Sequence, residues 1–248
     1  MLAAIAPSAA RAELSNGSLL GAGARSRPAY DGSAAQRVEA VPVVRYFGET
    51  LFVRSTQGVV EAGARAELAP GLHAGVQAAY ESGRQTQESS FLQSHGVADL
   101  GRGVSVGLHL EWDHSVGPVP ITLLARLRTH TEASRGVQVD LRLSAGLFKG
   151  GRFSAGAFVQ STWADAWSAD ARFGTGIQRS PLTDLPRFQA DKGWLSAGAG
   201  LLGSVELSPA WVVVGSVEAR RLQGSAARSP LAQRASNHYL GAGLARQF

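Results

Sequence analysis

The sequence predicts an all-β protein: a closed antiparallel transmembrane β-barrel of about twelve strands, with ten as the alternative. Short turns are expected on the periplasmic side and longer loops outside. Three observations carry this. The dominant hydrophobic period is two rather than 3.6. The alternating runs last nine to twelve residues, against about five or six in ordinary sheets and about 9–11 for a tilted strand that crosses a bilayer. One face of each run is apolar, and the other carries charge and glycine.

The composition sets the outer limits. The chain has 248 residues, 30 Gly and no Cys, with 44% apolar residues and a formal charge of +5. Lack of Cys removes disulfide scaffolds, thiolate zinc sites and cysteine nucleophiles. No apolar run approaches the ~18 residues of a membrane-crossing helix. The basic residues are scattered, mostly Arg, with no stripe of the kind that neutralises phosphates, so no nucleic-acid partner is expected.

The elements follow in order. Residues 1–12 read as the remnant of a signal peptide, with Ala10-Arg11-Ala12 as the small-x-small cleavage site. Residues 13–248 form one barrel domain. Strands are expected near 16–26, 37–46, 49–56, 59–69, 71–82, 102–113, 119–131, 135–148, 151–163, 193–206, 210–222 and 236–248. The clearest is "GVSVGLHLEWD", where Val104, Val106, Leu108, Leu110 and Trp112 alternate with Ser105, Gly107, His109, Glu111 and Asp113. In "GVQVDLRLSAGLF", Val137, Val139, Leu141 and Leu143 alternate with Gln138, Asp140, Arg142 and Ser144. Pro42 weakens the second candidate, because proline cannot donate to a ladder. The ten-strand alternative puts 37–56 in a hairpin outside the barrel. Turns at 57–58, 69–71, 148–151 and 207–210 are assigned to the periplasm, and 27–36, 83–101, 164–192 and 223–235 to the exterior. Tyr46, Phe52, Tyr80, Trp112, Phe153, Trp163, Trp194, Trp211, Tyr239 and Phe248 fall near strand ends, as girdle residues at the two interfaces should. Phe248 closes the last strand and is expected to be the aromatic read by the barrel-assembly machinery; Arg246 on the same face then snorkels to the interface.

Three segments in order resemble the MipA/OmpV family, the MltA-interacting proteins of the Gram-negative outer membrane. The first is "GAGARSRPAYDGS", with Arg27, Pro28, Tyr30, Asp31, Gly32 and Ser33 at the motif positions. The second opens Thr162-Trp163-Ala164-Asp165. The third has Leu222, Gly224, Ala226, Ser229 and Pro230 before the last strand. Arg246 stands where the family has tyrosine. The resemblance implies a non-enzymatic scaffold in envelope maintenance, bridging a lytic transglycosylase and a murein synthase, with membrane lipid and the assembly machinery as further partners. It implies no cofactor and no catalytic residues.

The inward positions carry the candidate chemistry. His109, Glu111 and Asp113 share one face at alternate residues, about 7 Å apart. That pattern suits a metal or acid–base site, or a structural network with Arg126, Arg128, Asp140 and Arg142 on the following strands. The network is the favoured reading. A narrow diffusion pore for small solutes is the alternative function. A hydrolase ranks below both, since Asp113-His114-Ser115 is adjacent in sequence rather than gathered, and no Gly-x-Ser-x-Gly elbow exists. The charged segment 164–192 is expected to face a partner or plug the lumen.

Overall fold

In the computed structural model, residues 17–56 and 59–248 are described. The signal-peptide reading of 1–12 and the turn at 57–58 lie outside them. The strands are β1 (Leu19–Pro28), β2 (Gln36–Phe47), β3 (Leu51–Thr56), β4 (Val59–Ala69), β5 (Leu72–Glu81) and β6 (Gly103–Val116). They continue as β7 (Val119–His130), β8 (Val137–Gly150), β9 (Phe153–Ala164), β10 (Gly193–Ser208), β11 (Trp211–Leu222) and β12 (Ser236–Gln247). Each pairs antiparallel with its neighbours in sequence, and β1 closes on β12 from Leu19↔Gln247 to Ser26↔Leu240. Both β2 and β3 belong to the closed sheet, which removes the ten-strand alternative.

Alternation sets which way each side chain faces. In β6, Val104, Val106, Leu108, Leu110 and Trp112 are exposed on the outer wall, while Ser105, His109, Glu111 and Asp113 are buried inside. Tyr46, Tyr80, Trp112, Phe153, Trp194, Trp211 and Phe248 are exposed. Phe52 and Tyr239 are not girdle residues. They point inward and are buried, because each shares its strand's inward parity, with Arg54 and Asn237 respectively.

The connections are asymmetric. At one end they are two or three residues: 48–50, 70–71, 117–118, 151–152 and 209–210. Gly71 (φ +75°), Gly117 (φ +60°) and Gly151 (φ +56°) supply the left-handed positions that tight hairpins need. This is the pattern of the periplasmic end of an outer-membrane barrel. Thr56 and Val59, which flank 57–58, lie at the opposite end by strand direction, so that connection does not belong with the periplasmic turns. The long loops at that opposite end carry three short helices, α1 (Ser90–Ser94), α2 (Ala166–Phe173) and α3 (Gly224–Arg228). These were expected only as loops.

One place in the wall differs from the rest. β3 has six residues. At about 3.3 Å per residue and ~45° tilt it rises only ~14 Å, short of an apolar band about 25 Å tall. Among the described residues, β2 pairs with β3 only at Arg45↔Arg54, Tyr46↔Val53 and Phe47↔Phe52. Residues 36–44 of β2 therefore have a strand partner on the β1 flank alone. Pro42 lies in this edge-like stretch, where proline is tolerated.

Candidate functional site

The inward polar residues converge on a buried ion-pair network. Arg54 bridges Glu61 at 2.9 Å and Glu111 at 2.8 Å. Arg126 reaches across to Glu61, and Arg65 stands 3.9 Å from Glu111. Nearer the loops, Arg128 bonds Asp140 at 2.6 Å and Glu81 at 2.8 Å. Thr162 adds a hydroxyl to Asp140 at 2.8 Å. Glu61 is 1% exposed. A carboxylate taken that far from water persists as an ion only when paired and hydrogen-bonded, and two guanidiniums supply that here.

The residues picked from the sequence divide. Glu111, Arg126, Arg128 and Asp140 all join the network. His109 does not: its ring sits edge-on to Phe52 at 4.9 Å. Asp113 instead accepts from the Thr122 hydroxyl at 2.6 Å. Arg142 stacks 3.8 Å over the Phe158 ring and reaches Ser144 and Gln160. His114 stacks on Trp112 at 4.9 Å on the outer wall, facing away from Asp113, so the Asp-His-Ser run is not gathered. Among the described residues, no three His, Asp or Glu side chains are placed to hold a metal ion.

Sequence reasoning missed Arg54, Glu61, Arg65 and Glu81 as partners. Glu61, Arg65 and Glu81 lie on the inward faces that the alternation assigns, whereas the sequence reading gives β3 no inward face and puts Phe52, on Arg54's side, in the girdle; contacts across the lumen are not a matter of sequence spacing. It also missed Glu218, Arg220 and Tyr239. Arg220 bonds Glu218 at 2.8 Å, and the Tyr239 ring lies between Arg220 at 4.4 Å and Arg25 at 4.9 Å.

The family-motif residues tie the loops into a lid over the mouth. Tyr30 packs with Ala29, Leu92, Val97 and Leu231, drawing three loops together. Gly32 adopts φ +91°, and its N–H donates to Asn237 Oδ1 at 3.2 Å. Asn237 in turn donates to the Ser33 carbonyl at 2.8 Å. The Ser229 hydroxyl donates to the Phe173 carbonyl at 2.6 Å, and Pro230 follows it into the Leu231 contact. Gly224 opens α3 at φ +52°. Asp31 stands 3.9 Å from Arg172, while Arg27 bonds Glu39 at 2.8 Å. Trp163 faces outward, in register with Trp194.

Asp165 caps α2, accepting from Ser168 N–H at 2.7 Å and, with its other oxygen, from Val137 N–H at 3.0 Å. One carboxylate thus holds both the helix start and the neighbouring strand. From α2, Arg172 reaches down to Glu81 at 2.8 Å, so this segment covers the lumen. Replacing a capping Asp by Ala costs about 0.5–2 kcal/mol. Asp165→Ala should therefore loosen the lid without unfolding the barrel, and faster proteolysis within 165–192, with unchanged heat-shift on gels, would register it.

Beneath the lid lies a chamber of about 220 Å³ lined by Arg25, Arg84, Arg128, Arg172, Glu81 and Tyr239, among others. Arg84 bonds the carbonyls of Arg172 at 2.6 Å and Ala98 at 3.3 Å. Burial above all lowers its pKa to about 10. Burial also pushes the Tyr30 phenol up to about 12, against the opposing charge of Arg84. A second chamber, about 200 Å³, lies toward the short-turn end and shares Arg25, Thr56 and Tyr239 with the first.

Comparison with known proteins places this geometry. The family model described as MltA-interacting protein MipA matches residues 20–248. No curated protein matches the sequence significantly. Among solved structures, the NanC porin is similar over 93% of this chain and 100% of its own, at 12% identity and a TM-score of 0.50. An outer-membrane channel from Pseudomonas putida F1 is similar over 98% and 100%, at 13% identity and a TM-score of 0.48. At these identities the likeness concerns the fold.

Proposed function

The chain belongs to the family of the MltA-interacting protein MipA, outer-membrane barrels, and on that premise we propose that it is a non-enzymatic scaffold in envelope maintenance. It would sit in the Gram-negative outer membrane and hold peptidoglycan enzymes, a lytic transglycosylase and a murein synthase, at the inner rim. The observation that carries this reading is the lumen. Arg54, Glu61, Glu111 and Arg126 bond across it, and α2 covers the mouth through Arg172. A blocked lumen leaves the rims as working surfaces. The periplasmic rim is built of short turns with exposed Glu49, Arg152 and Pro118.

The reading is tested by photo-crosslinkers placed at Glu49, Pro118 and Arg152 in growing cells, with Leu182 on the opposite face as control. Crosslinks to a lytic transglycosylase from the turns, and none from Leu182, are expected. No such product from any turn would remove the scaffold reading. The pore alternative predicts discrete conductance. The crossed lumen predicts that purified protein in planar bilayers gives none that is sustained, and steady single-channel steps would reverse that order.

A further inference from the structure

We propose that the barrel binds a single-chain anionic amphiphile, its carboxylate at Arg25 and its acyl chain in the second chamber, with entry through the seam between β2 and β3. This is independent of the scaffold reading.

Arg25 faces inward from β1, between Gly23 and Arg27 on that face. Among the described residues its guanidinium has no carboxylate within 4.0 Å and no hydrogen bond, and it lies over the Tyr239 ring at 4.9 Å. It is half-buried and lines both chambers, so it stands at their junction. An arginine in that state retains its full set of donors for a planar, bidentate anion. The second chamber is lined by three arginines, Arg25, Arg45 and Arg142, against the single carboxylate of Glu218.

The remaining wall selects the rest of the guest. Leu19, Val43, Leu124, Phe158, Leu202 and Val212 line the same chamber. Leu19, Val212 and Ala245 form a packed apolar floor, with Val43 and Val214 against it. A hydrophilic anion would leave this surface wet, whereas an acyl chain covers it at about 25 cal/mol per Å². Cavities of ~150 Å³ hold a benzene-sized guest. A chamber of about 200 Å³ therefore suits one short chain rather than a two-chain lipid.

The seam supplies the route. Val44 and Ser55 belong to the outward parity of β2 and β3, yet both line the second chamber. The chamber thus reaches the outer face where backbone pairing stops. At that point the Ser55 hydroxyl accepts from Val44 N–H at 3.0 Å and donates to its carbonyl at 3.4 Å, in place of a ladder rung. Above it, among the described residues, 36–43 have no strand partner on the β3 side, where Arg37 pairs with Glu88 of a loop and Val38 is exposed on the outer wall. A closed barrel avoids such an edge within hydrocarbon, and an edge beside a chamber with an apolar wall and a cationic end is where an amphiphile can pass sideways.

The test uses the full barrel in nanodiscs of zwitterionic lipid, with octanoate as probe and octanol and acetate as controls, followed by saturation-transfer NMR and equilibrium dialysis. Saturable octanoate binding is expected, displaced by decanoate but not by acetate, with octanol at least tenfold weaker. Arg25→Gln should weaken octanoate at least tenfold and leave octanol unchanged. Val214→Trp, filling the chamber, should abolish both. Heat-shift on gels verifies that each variant is folded. The proposal is overturned if wild-type protein shows no saturable octanoate binding, if acetate competes as well as decanoate, or if folded Arg25→Gln binds octanoate like wild type. The wild-type competition decides the matter even where a variant does not fold.

Discussion

Gly21→Val is expected to leave the barrel unclosed. Gly21 lies on the inward face of β1, opposite Ala245 in the pairing that seals the sheet. A Cβ there would stand 2.1 Å from the Leu244 carbonyl oxygen and 2.5 Å from Ala245 Cα. Both are backbone, so no flexible side chain can give way. Overpacking that side chains can absorb costs about 1–3 kcal/mol. Here the strands themselves must part, and in hydrocarbon each unpaired backbone group costs several kcal/mol more. The folded band on an unheated gel should disappear after refolding into vesicles. Gly241→Val is the matched control on the same seam's other strand. Its nearest neighbour is the Ser216 hydroxyl at 3.0 Å, which can rotate away. That variant should assemble. Equal assembly of the two would refute the backbone-clash account.

The same seam illustrates what was legible in the sequence. The parity of β1 and β12 is visible in "LLGAGAR" and "YLGAGLAR", and closure follows from counting strands. Alternation is a local property, and it assigned inward and outward faces correctly in β6 and β8. It failed where a local signal has two causes. Phe52 and Tyr239 sit near strand ends like girdle aromatics, yet parity turns them into the lumen. The segment 49–56 is expected as strand, but Glu49 and Thr50 go into the turn, which leaves β3 at six residues. Helix α2 had a readable start, Asp165 followed by Ala166 and Trp167, but glycines and prolines downstream made the whole segment read as loop. The network partners were the least legible. Glu61 and Arg126 are 65 residues apart and on non-adjacent strands. Only the curvature of a closed barrel brings them together. The lid was legible as motifs but not as contacts: Ser229 and Phe173 meet through the fold of two loops, not through any repeat in the chain.

Glu61 is where that curvature has its largest energetic consequence. Its two oxygens are divided between Arg54 and Arg126, and the side chain is 1% exposed. Glu61→Leu removes one charge and leaves two buried guanidiniums short of their shared partner. Arg54 keeps Glu111 at 2.8 Å, but among the described residues Arg126 keeps only Asp140 at 3.9 Å, a carboxylate already engaged by Arg128. Removing one member of a buried ionic group typically costs about 3–5 kcal/mol, mainly because a desolvated charge is left behind. The midpoint of urea unfolding in lipid vesicles should fall accordingly, by more than for any substitution at His109, which packs on Phe52 rather than in the network. The sign reverses if the remaining charge is removed as well. In Glu61→Leu/Arg126→Met the uncompensated guanidinium is gone and the cavity is refilled by apolar volume, so much of the loss should return. A double variant as unstable as the sum of its parts would mean that packing, not charge, holds this side of the lumen together. Recovery would mean that the network crosses the barrel as a mutually dependent set, so that the plug below α2 is maintained only while its charges remain balanced.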